Sequence, residues 1–554
     1  MSAITLVDVL QQWAQDRPRA LAYRALSRAG EKCLTFGELH LRSRIFAEGL
    51  GTVARPGERI VLMMRQDIEF VIALLGCFIA GAIAVPAALP RGRSGAGRVA
   101  AIGMDCGAKC IVTDTDELDG HGMRQAADAI GLSIVRFGEI FGSPRRPGSS
   151  AAELDPSSIA VLQYTSGATQ APKGVVLTHR NLIANEEIIR DRLRHDDLTV
   201  VAGWLPNFHD MGLIGMLLQP LFIGRPCHFM PAIEFIQHPK RWLELVTQCG
   251  ATTTGVPYFA LEHVLQRCPD FSGVDLRRVE VLFCGSEPIR PDGMKAFLSR
   301  LAPFGLAEDA FYPCYGLAEA TLLVSGPAAR LRPSVARPAV SRRSVVPGDC
   351  VGCGSGHPRV DLAVVDPVTR VEVADGTEGE IWVGGPSVSP GYWHRAEQTA
   401  SSFGQFTADG RGPFLKTGDV GFIGNGELFI SGRLKDLIII RGVKHAPQDI
   451  EWTVQRTLPW IGEAGVAAIG AREDDRESLV ILAELPRTRL RSNADLDLDA
   501  LREAVIRDHG IGPRRVLLLR PGALSKTTSG KLQRWKYREM LARGDFVPVR
   551  DQHY

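Results

Sequence analysis

Through the first 330 residues, short apolar runs of strand length alternate with longer segments of helical pattern. The runs include Arg59–Met63, Lys109–Val112, Ser133–Val135, Ile159–Gln163, Val200–Leu205 and Val279–Phe283. They are apolar almost throughout rather than on alternate residues, which suits strands covered on both faces. Helices between them supply the cover. The pattern predicts a layered α/β architecture with largely parallel sheets. Folds of this kind gather ligands at the carboxyl ends of their strands, so the chemistry should lie in the loops that follow these runs.

At 554 residues the chain exceeds what one core supports. Its texture changes near Arg332. Pro333–Pro358 is rich in Arg, Ser, Pro and Gly and reads as irregular, loosely packed structure. Short strands follow at Val360, Gly379 and Gly426, the mark of a β-rich subdomain. After Gly432 a strand at Leu437–Ile440 precedes a helix within Ala446–Thr457. The strand-like GVAAIGA and SLVILAEL follow, then a helix at Leu498–Asp508 and a strand at Arg515–Leu519. The expected division is a large N-terminal domain over 1–432, with the β-rich part and a short insertion in 331–432. A connecting segment at 433–436 leads to a small α+β domain over 437–554. Gly544–Tyr554 has no periodic pattern and reads as a frayed tail.

Composition removes several functions. A formal charge of +2 over this length gives no electrostatic case for nucleic-acid binding. Phe70–Leu89 is an uncharged, mostly apolar stretch of membrane-spanning length, but Gly76, Gly81 and Pro86 divide it. A buried helix over Ile68–Ala80 and a strand over Ile83–Val85 account for it, so no integral membrane segment is expected. The N-terminus reads as an amphipathic helix ending before Pro18, not as a targeting signal. The eleven cysteines are scattered. Cys350 and Cys353 have the spacing of half a zinc knuckle, without a second pair nearby, and a reducing cytoplasm is the expected setting.

Five polar motifs sit where strands should end. YTSGATQAPKG, Tyr164–Gly174, offers the hydroxyls of Thr165, Ser166 and Thr169, backbone freedom at Gly167 and Gly174, and the charge of Lys173. Strand, polar loop and a helix over Arg180–Arg190 form a candidate phosphate cradle, although not a Walker A loop. WLPNFHDMGLIG carries His209 and Asp210 into a glycine-rich helix. FCGSEP spans Phe283–Pro288, and YGLAEAT places Tyr315, Gly316 and Glu319 together. KTGDVGFIGNGELFISGRLKD contains Asp419, suited to two ribose hydroxyls, and Arg433, suited to phosphate or sugar. Taken singly, His209 reads equally as a structural hydrogen-bonding group, Glu319 as a helix-surface residue, and Asp419 or Arg433 as half of a surface salt bridge. LSKTTSGKLQR near the C-terminus carries Lys531, by itself an ordinary solvated lysine.

Together and in this order, the motifs resemble the adenylate-forming enzyme superfamily over residues 5–540, and within it the fatty acyl-AMP ligases. LQYTSG, WLPNFHDMGLIG, CYGLAEATLLVSG, LIIIRG and PQDIE carry the subgroup likeness. The resemblance implies the adenylate-forming fold, with a mobile C-terminal domain turning about Lys435. It implies that ATP and Mg²⁺ convert a medium- or long-chain fatty acid to acyl-adenylate and pyrophosphate. Thr165, Ser166, Gly167, Thr169 and Lys173 would then cradle phosphates. Glu319 would hold Mg²⁺ with help from Thr165. Gly285, Ser286, Glu287, Pro288, Tyr315 and Gly316 would frame the adenine, Asp419 and Arg433 would take the ribose, and Lys531, His209 and Glu319 would be catalytic. The implied acceptor is the phosphopantetheine thiol of a separate acyl carrier protein or carrier domain. Free CoA, as in an acyl-CoA synthetase, is the main alternative. An amino-acid-activating enzyme and a non-catalytic nucleotide-binding module are the others. Three departures stand out: Ala168 where the family has Ser or Thr, Lys444 and Ala446 in place of Asn and Tyr, and a short, arginine-rich insertion around Leu331–Gly354.

Overall fold

The computed structural model describes all residues except 1–4, 29, 91–92, 117–121, 144–153, 166–171, 329–330, 340–348, 441–442, 462–464, 474–475, 491–495 and 526–531. It describes only the backbone at 93–94, 165, 444, 459, 472–473 and 476. Ser166, Gly167, Ala168, Thr169 and Lys531 therefore lie outside the described residues, as do the side chains of Thr165 and Lys444.

Two large sheets carry the predicted parallel strands. One runs Ser133–Arg136, Cys110–Thr113, Arg59–Met63, Ile83–Ala87, Ile159–Thr165 and Lys173–Thr178. Its first five strands are parallel and the last is reversed. The other runs Phe311–Pro313, Val281–Gly285, Thr253–Pro257, Val201–Gly203, Cys227–Phe229, Leu21–Ser27 and Gly30–Thr35, with only the final pair antiparallel. The inner strands are covered on both faces, which is why they are apolar throughout, whereas the edge strands Gly30–Thr35 and Ser133–Arg136 are largely exposed. The helix Ile68–Ile79 packs between them with 11 of its 12 residues buried, and the strand Ile83–Ala87 is wholly buried. Protein, not lipid, surrounds the apolar stretch, and among the described residues no helix is long and apolar enough to cross a membrane.

A four-stranded antiparallel sheet, Asp361–Val365, Gly379–Gly384, Leu415–Gly424 and Glu427–Arg433, forms the β-rich part. From Ile438 onward, Val466–Glu473, Arg476–Glu484, Pro513–Leu519 and Arg550–His553 make a further sheet, packed by the helices Pro447–Thr457, Leu498–His509 and Arg534–Arg543. Core side chains of this last part cluster with one another, separately from those up to Ile430.

Two readings are corrected and one is refined. The tail is not frayed: Arg550–His553 pairs antiparallel with Pro513–Leu519, and Arg515 binds Asp551 at 2.6 and 2.9 Å. As a mostly exposed edge strand it needs no apolar alternation, so it carries no periodic signal. The helix expected over Arg180–Arg190 is present as His179–Leu193, but a strand not expected there, Lys173–Thr178, stands between it and the glycine loop and pairs antiparallel with Ile159–Thr165. Finally, Pro333–Pro358 is not loose at its described ends. Val335–Ala336 pairs with Cys350–Val351, Cys353 is buried, and Cys353 N and Gly354 O both bond Leu428 at 2.7 Å.

Candidate active site

One cavity of about 840 Å³ opens between the carboxyl ends of the strands and the C-terminal part. Lys173, His209, Gly285, Ser286, Glu287, Pro288, Tyr315, Gly316, Glu319, Asp419, Arg433 and Lys435 all line it. So does Leu532, the residue after Lys531. Motifs spread over more than 250 residues of sequence thus meet at one place.

Register builds the centre of the site. Asp419 and Arg433 are direct partners across the antiparallel strands, and Arg433 Nε donates to Asp419 Oδ1 at 2.6 Å. Tyr315 Oη donates to Asp419 Oδ2 at 2.7 Å, while Asp419 N donates to Thr417 Oγ1 at 3.0 Å. The Asp419 side chain is 6% exposed, whereas that of Arg433 is half exposed and reaches toward the cavity. Asp419 pushes the Arg433 pKa further up, against the effect of burial. Burial and the same carboxylate raise the Tyr315 phenol well above its ordinary range. A carboxylate has about four acceptor positions. Two are taken here, which leaves capacity for a pair of hydroxyls.

The hairpin side is organised by a residue that the sequence reading missed, Tyr392. Its Oη donates to Glu319 Oε1 at 2.9 Å, and Lys173 Nζ lies 5.1 Å from its ring centre. The segment bearing Tyr392 is stitched to the second hairpin arm: Trp393 N donates to Gly174 O at 2.8 Å and Val176 N to Gly391 O at 3.0 Å. The Gly-Tyr-Trp at 391–393 was the available signal, an aromatic pair in a turn context. Desolvation lowers the Lys173 pKa, helped by nearby Lys435 and opposed by Glu319.

The remaining lining comes from two turns and a distorted helix. Ser286, just past the strand Val281–Gly285, has φ +72, a backbone strain of the kind found at ligand sites. Its neighbour Glu287 accepts from Phe259 N at 3.1 Å. A Cβ at Gly316 would stand 1.9 Å from Leu322 O, so the tight return after Tyr315 requires glycine. His209 Nδ1 lies 2.7 Å from Asp210 Oδ1, and Gln163 Nε2 ties the loop to the hairpin strand through Phe208 O at 2.9 Å. The helix entered there, Met211–Leu218, is a π-helix, a form often placed at functional sites. The apolar part of the cavity lining includes Ile189, Leu193, Met211, Phe283 and Leu322.

The donor set suits a magnesium ion held partly by phosphates. Magnesium keeps few protein ligands, commonly one or two carboxylates. Glu319 presents one carboxylate into the cavity beside Lys173, and among the described residues no group of three His, Cys, Asp or Glu forms a protein cage.

A family model for AMP-binding enzymes matches residues 10–393. The chain belongs to this family. The AMP-binding enzyme is 36% identical over 561 residues to the medium-chain-fatty-acid–[acyl-carrier-protein] ligase JamA of Moorena producens (strain JHB), covering 96% of this chain and 94% of that one. It is 35% identical to the long-chain-fatty-acid–AMP ligase FadD26 of Mycobacterium tuberculosis, covering 95% of each. A solved structure from work on the fatty acyl-adenylate ligases of E. coli and L. pneumophila superposes on the AMP-binding enzyme with a TM-score of 0.87 at 28% identity, covering 98% of both chains. The L. pneumophila fatty acyl-adenylate ligase in complex with acyl adenylate and pyrophosphate gives 0.75 at 30% identity, covering 100% of this chain and 98% of that one.

Proposed function

We infer that the protein activates a medium- or long-chain fatty acid with ATP, forming acyl-adenylate and pyrophosphate, and passes the acyl group to the phosphopantetheine thiol of a separate acyl carrier protein. The observation that carries this reading is the shared cavity. Lys173 and Glu319, the carboxylate Asp419, His209 and a set of apolar side chains suited to an acyl chain all line the same space. The near full-length likeness to JamA and FadD26 supports the same chemistry.

The fatty carboxylate is ionised at neutral pH and attacks the α-phosphate without a general base. The protein's work is therefore positioning and charge stabilisation. Asp419 accepts the ribose hydroxyls on the positions that Tyr315 and Arg433 leave open. The 285–288 turn, Tyr315 and Gly316 frame the adenine. Lys173, with the loop before it, receives the β- and γ-phosphates. Glu319, oriented by Tyr392, would hold Mg²⁺, which supplies charge neutralisation to the phosphates when bound. His209 lines the same cavity as the apolar side chains that would take the acyl chain. Lys531, on the small part next to cavity-lining Leu532, bridges the acyl carboxylate and α-phosphate as charge develops.

Residues 1–432 and 437–554 act as two bodies joined at 433–436, and the small body turns about Lys435 so that the carrier thiol can reach the adenylate. The separate cores on either side of this segment support that division. Product analysis with ATP, a fatty-acid series and either holo-carrier or CoA tests the whole reading. Acyl-adenylate and acyl-carrier are expected. Efficient acyl-CoA formation would instead favour the CoA synthetase reading, which a 33% identical relative named as a putative fatty-acid–CoA ligase keeps in view.

A further inference from the structure

The helix Pro447–Thr457 has two working faces. Ile450 and Val454 enter the core of the small body. Gln448, Glu451, Trp452 and Gln455, at spacings of three and four residues, turn to the cavity instead. Glu451 is satisfied within its own body, accepting from Ala468 N at 2.9 Å and from Arg534 at 2.9 and 2.6 Å. Trp452 and Gln455 meet a side chain of the large body. Arg290 precedes the helix Pro291–Leu301 and follows the 285–288 turn by two residues. Its guanidinium carbon lies 4.8 Å from the centre of the Trp452 ring, and its Nη2 donates to Gln455 Oε1 at 2.5 Å. On its own side, Nη1 stands 3.6 Å from Glu262, whose carboxylate also accepts from Tyr258 Oη at 3.1 Å.

We propose that Arg290 is a positioning residue: through Trp452 and Gln455 it clasps the small body in the arrangement that forms the adenylate, and it lets go for acyl transfer. This rests on the two-body, fatty-acid-activating reading above. A flat guanidinium can stack on a ring and donate from its edge at once, which fixes the approach of the helix as well as its distance. When the small body leaves, Glu262 still faces the cation, so release does not strand an unpaired charge. A contact built from one side chain is also weak enough to be broken in every cycle, unlike a broad apolar interface. Arg290 continues directly from the adenine-framing turn, so the same stretch of backbone meets the nucleotide and the small body. Burial lowers the Arg290 pKa and Glu262 opposes that shift.

Trypsin cuts after Arg433 and Lys435, both within the connecting segment, and reads the clasp without any substrate. Arg290→Ala and, from the opposite side, Trp452→Leu should each be cut there several-fold faster than wild type. In single turnovers with ATP and dodecanoate, both should form adenylate about 10-fold more slowly. Both should transfer preformed dodecanoyl-adenylate to holo-carrier at least as fast as wild type, and Arg290→Lys should fall between. Unchanged cleavage overturns the clasp, as does an equal slowing of both half-reactions. Faster cleavage in variants of a wild type that makes no adenylate from any fatty acid would uphold the clasp and refute the fatty-acid reading.

Discussion

Two guanidinium groups stand at the cavity wall, and they are held in opposite ways. Arg433 faces Asp419 across an antiparallel ladder, and the backbone register sets their separation before either side chain chooses a rotamer. Arg290 reaches Trp452 and Gln455 across two separately packed cores, with side chains alone making the contact. On the proposed function, the group that would face the nucleotide is fixed by sheet register, and the group that would change partners is joined only at its tip. A site working in two arrangements would need both kinds of construction, placed where each is wanted.

On the proposed mechanism, removing the contribution of Lys531 should have the largest effect. Lys531→Ala is expected to keep ATP binding, followed by calorimetry, and to lose roughly 100-fold or more in adenylate formation, followed by pyrophosphate release. Wild-type rates would remove Lys531 from the mechanism. On the fixed side, Asp419→Ala leaves the ladder intact but strips Arg433 and Tyr315 of their shared acceptor. Charge-assisted hydrogen bonds of this type are worth about 2 kcal/mol, so KM for ATP should rise some ~30-fold. A rise confined to kcat would move Asp419 away from the ribose.

The apolar lining belongs to the fixed side as well. A Cβ at Gly215 would meet Leu322 Cδ2 at 3.2 Å, so Gly215→Val should narrow the cavity there. We expect kcat/KM for dodecanoate to fall about 10-fold while a six-carbon acid loses little. Equal losses for both would place the acyl chain elsewhere. Acid should separate the two bodies more gently. His179, His195 and His228 in the large body, and His509 in the small one, are each depressed to about 4, chiefly by burial. A histidine whose folded pKa lies below its unfolded value contributes stability that is fully present above about 6.5 and is lost as pH falls toward 4. Calorimetry at pH 7.5 and pH 5 should show the large body's transition falling a few degrees further than the small body's.

The strands, the divided apolar stretch and the motif positions were legible in the sequence, because apolar runs and glycine turns are local signals. The Asp419–Arg433 pairing was not, since two plausible ligands do not reveal that register makes them neighbours. Tyr392 escaped because an aromatic in a turn carries no label until a strand and Glu319 are set beside it. Arg290 and Gln455 lie 165 residues apart, and nothing in either surrounding segment points to the other. The strand Arg550–His553 was hidden for a different reason. Its stability comes from backbone pairing and an ion pair, neither of which leaves an apolar rhythm.

The reversed arm Lys173–Thr178 changes what kind of anion trap the glycine loop can be. Six extended residues carry the chain about 20 Å before the next helix begins. A helix dipole acts over roughly one turn, so it does not reach the loop. If the loop receives phosphates as proposed, attraction there would come from discrete charges and individual N–H and O–H groups. Such a trap weakens as ionic strength rises and can be tuned one substituent at a time. An alanine in place of a hydroxylated residue at 168 removes a single donor and leaves the electrostatic source, Lys173, where it was.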